Sequence, residues 1–174
     1  MTVRQAIIAV SLTMLGVAGL TWTVSAPTEL QLAFQLRCSD EEIPLPGESF
    51  QVEVLLRFAP QGIQKYDLTF EVGDSGTAGT VARIEEIKSR TIRSEYFQVV
   101  SKTDFSVWFK ALDVGNVIQA GATDVTIAVV TLRSLLPVRS LDMRLGVSHT
   151  SIDDNNQEID TKAVLVLPTS CGSQ

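Results

Sequence analysis

The sequence is short of the residues that most enzymes need. It has one histidine, His149, set between Ser148 and Thr150, and no nucleophile elbow or glycine-rich oxyanion turn accompanies it. A hydrolase brings a base, an orienting group and a nucleophile together, so His149 reads as a surface residue. Glu85 and Glu86 are adjacent in a strand-like stretch; neighbours on a strand point to opposite faces, which is poor geometry for paired carboxylate catalysis. Aromatic residues make up 6% of the chain, and Trp108 is the one tryptophan beyond the N-terminal segment, too few rings for a flat polysaccharide platform. Positive charge is also in deficit. Fourteen Lys and Arg face twenty Asp and Glu, a net charge of -6 scattered along the chain, which disfavours nucleic acid and anionic membrane surfaces as partners held by charge. The oxygen-rich "DDNNQE" at 153–158 lacks the glycine and the ligand spacing of a calcium loop and reads as a polar hairpin turn. These shortages point to a non-enzymatic protein without a cofactor or metal.

What is present begins with an export signal. Met1 and Arg4 form a small positive end, and no residue from 5 to 28 is charged. Small residues at Val24, Ser25 and Ala26 suit a signal peptidase, giving a leader over 1–26 and a domain over 27–174, although Pro27 is a poor residue to follow the cut. The run also approaches the roughly 20 residues that span a bilayer, so an uncleaved N-terminal anchor is the alternative, with Trp22 suited to the membrane interface. Both readings place the domain outside the cytoplasm, secreted or at the cell surface. There a lone pair of cysteines, Cys38 and Cys171, more often bridges than stays free.

Beyond Pro27 the chain reads as short strands separated by turn residues. Candidate strands cover "ELQLAFQLR" (29–37), "ESFQVEVLLRF" (48–58) behind the "PLPG" turn, "GIQKYDLTFEV" (62–72), "TVARIEEIK" (80–88), "EYFQVVSK" (95–102) and "DFSVWFKALD" (104–113). A short piece at 117–119 precedes "DVTIAVVTLRSL" (124–135), which is apolar on both sides and so central; "LDMRLGVSHTSI" (141–152) and "KAVLVL" (162–167) complete the set. The expected fold is all-β, a nine-stranded jelly-roll sandwich. A jelly roll manages its open edges by laying the last strand beside the first. If those two strands run parallel, both cysteines fall at the same end.

The order of these motifs resembles the cohesin domains of bacterial cellulosome scaffolds, a family related to carbohydrate-binding modules. "PGESFQVEVLLRF" is similar to the family's turn and second strand, "GIQKYDLTFEV" to its third, "GATDVTIAVVTLRSL" to its central strand and "MRLGVSHTSIDDNNQEI" to a late strand ending in a polar turn. The resemblance spans about residues 45–167. It departs at "GDSGTAGTVARI" (73–84), where family members carry an Asp-Pro and a Val-Leu pair, and the chain has no duplicated calcium loop of the dockerin kind.

The resemblance implies that the sheet holding the third, fifth, sixth and eighth strands presents its outer face to a dockerin-like protein. On that face Asp67 matches a family aspartate that accepts hydrogen bonds from the partner, with Lys65 and Thr69 beside it. In the sixth strand Phe105, Val107, Phe109 and Ala111 form one row and Ser106, Trp108, Lys110 and Leu112 the other. Lys110 favours the Trp108 row as the outer one, while the resemblance around Ala111 allows the opposite. An exposed aromatic beside Asp67 suits the centre of a protein interface. The expectation is therefore an exported module that holds an extracellular protein through Lys65, Asp67, Thr69, Ser106, Trp108 and Lys110. The alternatives are a carbohydrate-binding module that takes polysaccharide and a structural subunit of a cell-envelope complex.

Overall fold

In the stretch from Ser49 to Ala59, Phe50, Val52, Val54 and Leu56 alternate with Ser49, Gln51 and Glu53, and the even-numbered side chains are buried. That two-residue period is the signature of a strand with one face on a core, and it recurs along the chain. The structure, a computed structural model, describes residues 31–39, 44–73, 81–135, 143–151, 159–160 and 164–170. Its strands are β1 (Ala33–Cys38), β2 (Ser49–Ala59), β3 (Lys65–Val72), β4 (Ala82–Ser89), β5 (Phe97–Lys102), β6 (Ser106–Leu112), β7 (Ala122–Ser134), β8 (Met143–Ser151) and β9 (Leu165–Ser170), with a single 3-10 turn at Ser94–Tyr96. The expected leader at 1–26 and the polar turn at 153–158 lie outside the described residues. Among the described residues, no helix is long and apolar enough to cross a membrane.

The strands form two sheets. One has the order β4-β7-β2-β1-β9 and the other β5-β6-β3-β8. Their facing rows make the core, with Phe34 and Leu36 from β1, Val52 and Val54 from β2, and Leu132 and Val130 from β7 on one side. Tyr66, Leu68 and Phe70 from β3 and Val107 and Phe109 from β6 meet them from the other. Each large apolar side chain so buried is worth about 1.5–3 kcal/mol relative to exposure.

β1 pairs antiparallel with β2 and parallel with β9, in a register that runs from Ala33 opposite Leu165 to Arg37 opposite Ser170. First and last strands therefore lie side by side. β9 begins three residues later than the sequence pattern suggested, at Leu165. It includes Pro168, which an edge strand tolerates because one row of its backbone groups has no ladder to join; the Pro168 carbonyl accepts a bond from the Gln35 side chain at 2.9 Å.

Two further differences from the sequence pattern have local causes. The piece at 117–119 is a loop, with Ile118 buried as a plug. In β7, the register against β2 slips between Val54 and Leu55, and Ile127 is the residue passed over. Ile127 and Ala128 are consequently both buried, as expected at a bulge. On the outer side of β7, Val129 is flanked in register by Glu53 and Lys88, whose long stems cover apolar surface while their charges stay in water.

Candidate functional site

The outer face of the β5-β6-β3-β8 sheet is built by the rows left over from the core. In β3, Tyr66, Leu68, Phe70 and Val72 are buried, so Lys65, Asp67, Thr69 and Glu71 face outward. In β6, Val107, Phe109 and Ala111 are buried, so Ser106, Trp108, Lys110 and Leu112 face outward. The question left open for the sixth strand is thereby settled: the tryptophan row is the outer one, and Trp108 is 38% exposed. Phe105 lies in the turn before β6 and is exposed, not part of the inner row.

Register brings the six expected residues onto one surface. Thr69 lies opposite Trp108, Asp67 opposite Lys110, Lys65 opposite Leu112 and Glu71 opposite Ser106. The Trp108 indole N–H crosses diagonally and donates a hydrogen bond to Oδ1 of Asp67. This bond joins residues 41 apart in sequence. It fixes the indole over the centre of the sheet and leaves Asp67 with further acceptor capacity, since an ionised carboxylate has about four lone-pair sites.

On its other side β3 pairs with β8. Asp67 lies opposite His149 and Thr69 opposite Gly146, with a register slip that passes over Ser148. His149 is half-buried rather than a bystander on the surface. Sequence reasoning missed it as a member of this face, because the bulge that turns it outward reverses the alternation begun by Met143 and Leu145. By strand register Asp67 thus has Lys110 on one side and His149 on the other, and its carboxylate holds the Trp108 indole. Among the described residues no group of three His, Cys, Asp or Glu side chains is placed to hold a metal ion.

At the end of the sheet where β3 begins and β6 ends, a cleft of about 390 Å³ opens between Lys65, Lys110, Ala111, Leu112, Gln98 and Tyr96, with Glu95 also on its lining. A second cleft of about 340 Å³ shares Tyr96 and Leu112 and continues between the 91–93 turn and the 113–117 loop. Neither cleft was legible in the sequence, since each joins segments that only the fold brings together.

The acidic pair on β4 belongs to the opposite sheet. Glu85 accepts bonds from Arg133 at 2.5 Å and Ser49 at 2.8 Å, and the Arg133 bond is the main cause holding its carboxyl below the usual range. That is a surface ion-pair arrangement across β4, β7 and β2, away from the tryptophan face.

No protein-family model and no curated protein matches the sequence. Solved structures do match the fold, cohesins among them. The third cohesin of ScaC from Acetivibrio cellulolyticus, solved with the ScaB dockerin, aligns over 82% of this chain and 99% of its own, with a TM-score of 0.60 and 9% identity. The cohesin of a Coh-OlpA-Doc918 complex from Clostridium thermocellum aligns over 78% of this chain and 99% of its own, with a TM-score of 0.55 and 18% identity. The seventh ScaB type I cohesin from Pseudobacteroides cellulosolvens aligns over 81% and 94%, with a TM-score of 0.54 and 12% identity. The chain has a cohesin-like fold. At these identities the likeness is one of architecture.

Proposed function

We propose that this protein is an exported, non-catalytic binding module that holds an extracellular protein partner on the outer face of the β5-β6-β3-β8 sheet. The observation that carries the reading is an indole 38% exposed on a sheet face that no other described element covers, tied by its N–H to Asp67. A rigid aromatic anchor beside a carboxylate with spare acceptor sites is the composition of an interface hot spot. Two of the cohesins compared were solved with dockerins, so a dockerin-like protein is the first partner to test. Lys65, Thr69, Ser106 and Lys110 complete the contact surface. Residues 1–26 are the leader or anchor, and residues 27–174 are the secreted or surface-held domain. Cys38 and Cys171 form a disulfide; in support, no cysteine is free among the described residues, and the last residue pair in the β1–β9 register, Arg37 and Ser170, immediately precedes the two cysteines.

Calorimetric titration with purified dockerins, and capture from secreted proteins of the source organism, test the reading with wild type beside Trp108→Ala and Asp67→Ala. Loss of about 2 kcal/mol or more at Trp108→Ala, or roughly thirtyfold in affinity, is expected of a central anchor. Retention on polysaccharide with no protein bound would instead make the chain a carbohydrate-binding module. Unchanged protein capture by both variants would refute the sheet face as the docking surface.

A further inference from the structure

The sheet face by itself is a flat patch of modest area. Four strands at about 4.8 Å spacing and seven or eight residues at about 3.3 Å rise give roughly 500 Å² in projection. A standard interface takes about 800 Å² from each partner. Among the described residues the surface continues over the end of β6 and into the two joined clefts. There Tyr96, Leu112, Val114 and Val117 are between 39% and 57% exposed.

Both walls of this region are held by hydrogen bonds. On one side Asp113 Oδ2 accepts the Ile118 N–H at 2.6 Å, the Asp113 N–H donates to the Gln64 carbonyl at 2.6 Å, and the Ile63 N–H donates to the Ile118 carbonyl at 3.1 Å. With Ile118 buried, the loop is fixed while Val114 and Val117 project outward. On the other side Thr91 Oγ1 donates to the Thr126 carbonyl at 2.7 Å, Ile92 is buried, and the Ile92 N–H donates to Ser89 Oγ at 3.1 Å. Apolar side chains displayed on a fixed frame lose little entropy when covered, which is what preorganised binding surfaces exploit. At the sheet end of the cleft are Lys65 and Lys110. Neither makes an ion pair among the described residues, although the chain carries a net charge of -6. Glu95, which also lines the cleft, lies 3.9 Å from Arg93.

We infer that the docking surface, on the reading proposed above, extends from the sheet into this cleft and takes a protein segment with a carboxylate followed by apolar side chains. The carboxylate lies between Lys65 and Lys110. The apolar side chains lodge against Leu112, Tyr96 and Val117. The carboxylate end lies on the sheet side, where the lysines are, and the apolar end on the loop side, where the valines are.

The test is a nuclear magnetic resonance titration of isotope-labelled protein with three blocked tripeptides: acetyl-Glu-Leu-Leu amide, acetyl-Lys-Leu-Leu amide and acetyl-Glu-Ser-Ser amide. The expected result is that the first shifts the backbone amides of Lys65, Tyr96, Leu112, Val114 and Val117, and that the other two bind at least about tenfold more weakly. In the Lys65→Glu/Lys110→Glu double variant, whose spectrum reports its own folding, the preference inverts toward the lysine peptide. Equal binding of all three peptides, shifts confined to other surfaces, or no perturbation by the first peptide at about 10 mM, the millimolar range of a roughly 4 kcal/mol contact, would overturn the inference. The two readings fail separately. If Trp108→Ala abolishes partner capture while the cleft stays unperturbed, the cleft is excluded and the sheet face stands. If the first peptide maps to the cleft while Trp108→Ala and Asp67→Ala still hold the partner, the cleft stands and the sheet face is excluded.

Discussion

Gly62 shows how one backbone position fixes a functional loop. Its φ is +80°, and a Cβ built on it would lie 2.8 Å from the Ile118 carbonyl oxygen and 3.1 Å from the Ala120 nitrogen. The turn can be tight here only because there is no side chain. Gly62→Ala therefore has to move backbone as well as adopt a disfavoured φ, and a loss of about 2–4 kcal/mol in urea unfolding is expected. Gly121, with φ +81° and open space around its Cβ, isolates the conformational part; Gly121→Ala is expected to cost only about 1–2 kcal/mol. Equal losses would show that the close approach of the loop contributes nothing. Tyr66 makes a second residue-scale case. Its hydroxyl is buried without a hydrogen-bond partner among the described residues, and burial, with the Asp113 charge adding to it, pushes its pKa far above the ordinary tyrosine range. The folded state favours the neutral phenol, so this contribution to stability is whole below about pH 10, the unfolded tyrosine value, and is lost as pH rises from there toward the folded pKa. Tyr66→Phe is expected to flatten that alkaline loss and to leave stability at neutral pH unchanged or about 1 kcal/mol higher, since an unsatisfied buried oxygen is removed. Urea unfolding of both proteins at neutral and alkaline pH measures it.

At the scale of elements, the loop after β6 depends on Asp113, whose buried carboxylate accepts the Ile118 N–H and has its other oxygen without a hydrogen-bond partner among the described residues. Asp113→Ala is expected to raise hydrogen exchange at the Ile118 amide by about tenfold or more, the value of one hydrogen bond to a charged acceptor. Asp113→Asn keeps an acceptor and should retain most of the protection. Exchange measured by nuclear magnetic resonance separates the two, and equal protection in all three proteins would show that the latch is not what holds the loop. The same elements show what was legible in sequence. The alternation in β2, β3 and β6 specified which side chains enter the core, and hence that Asp67, Trp108 and Lys110 share a parity with the surface. It did not specify neighbours. The Asp67–Trp108 bond depends on a strand register set by long-range pairing, and His149 joins the face only through a bulge whose position no local pattern marks. Ile118, next to Val117 in the short piece at 117–119, carried no mark of its role, because burial by a loop and burial by a sheet leave the same trace in a three-residue window.

For the whole molecule, the decisive feature is the closure of the five-stranded sheet by its own last strand. Among the described residues β9 is an edge strand paired with β1 alone, and Leu165 and Val166 on it are 44% and 40% exposed. Apolar burial therefore holds it weakly, and a covalent link at its end would carry much of the closure. A bridge between Cys38 and Cys171 closes a loop of about 130 residues, worth on the order of 5 kcal/mol by loop entropy, against a net stability of about 5–15 kcal/mol for a typical domain. Reductant is accordingly expected to shift the urea midpoint strongly downward, and Cys38→Ser to reproduce that shift and abolish any further response to reductant. The first backbone amides to lose exchange protection should be those of β9 and the β1 groups facing it, because opening that pair breaks no other ladder than the one between them. Mass measurement after alkylation without reductant fixes the premise: two alkylated thiols, or a midpoint indifferent to reductant, would mean that β9 is retained by its hydrogen bonds alone. In that case Gln35→Ala, which removes the side-chain bond to the Pro168 carbonyl, becomes the more damaging change at this edge.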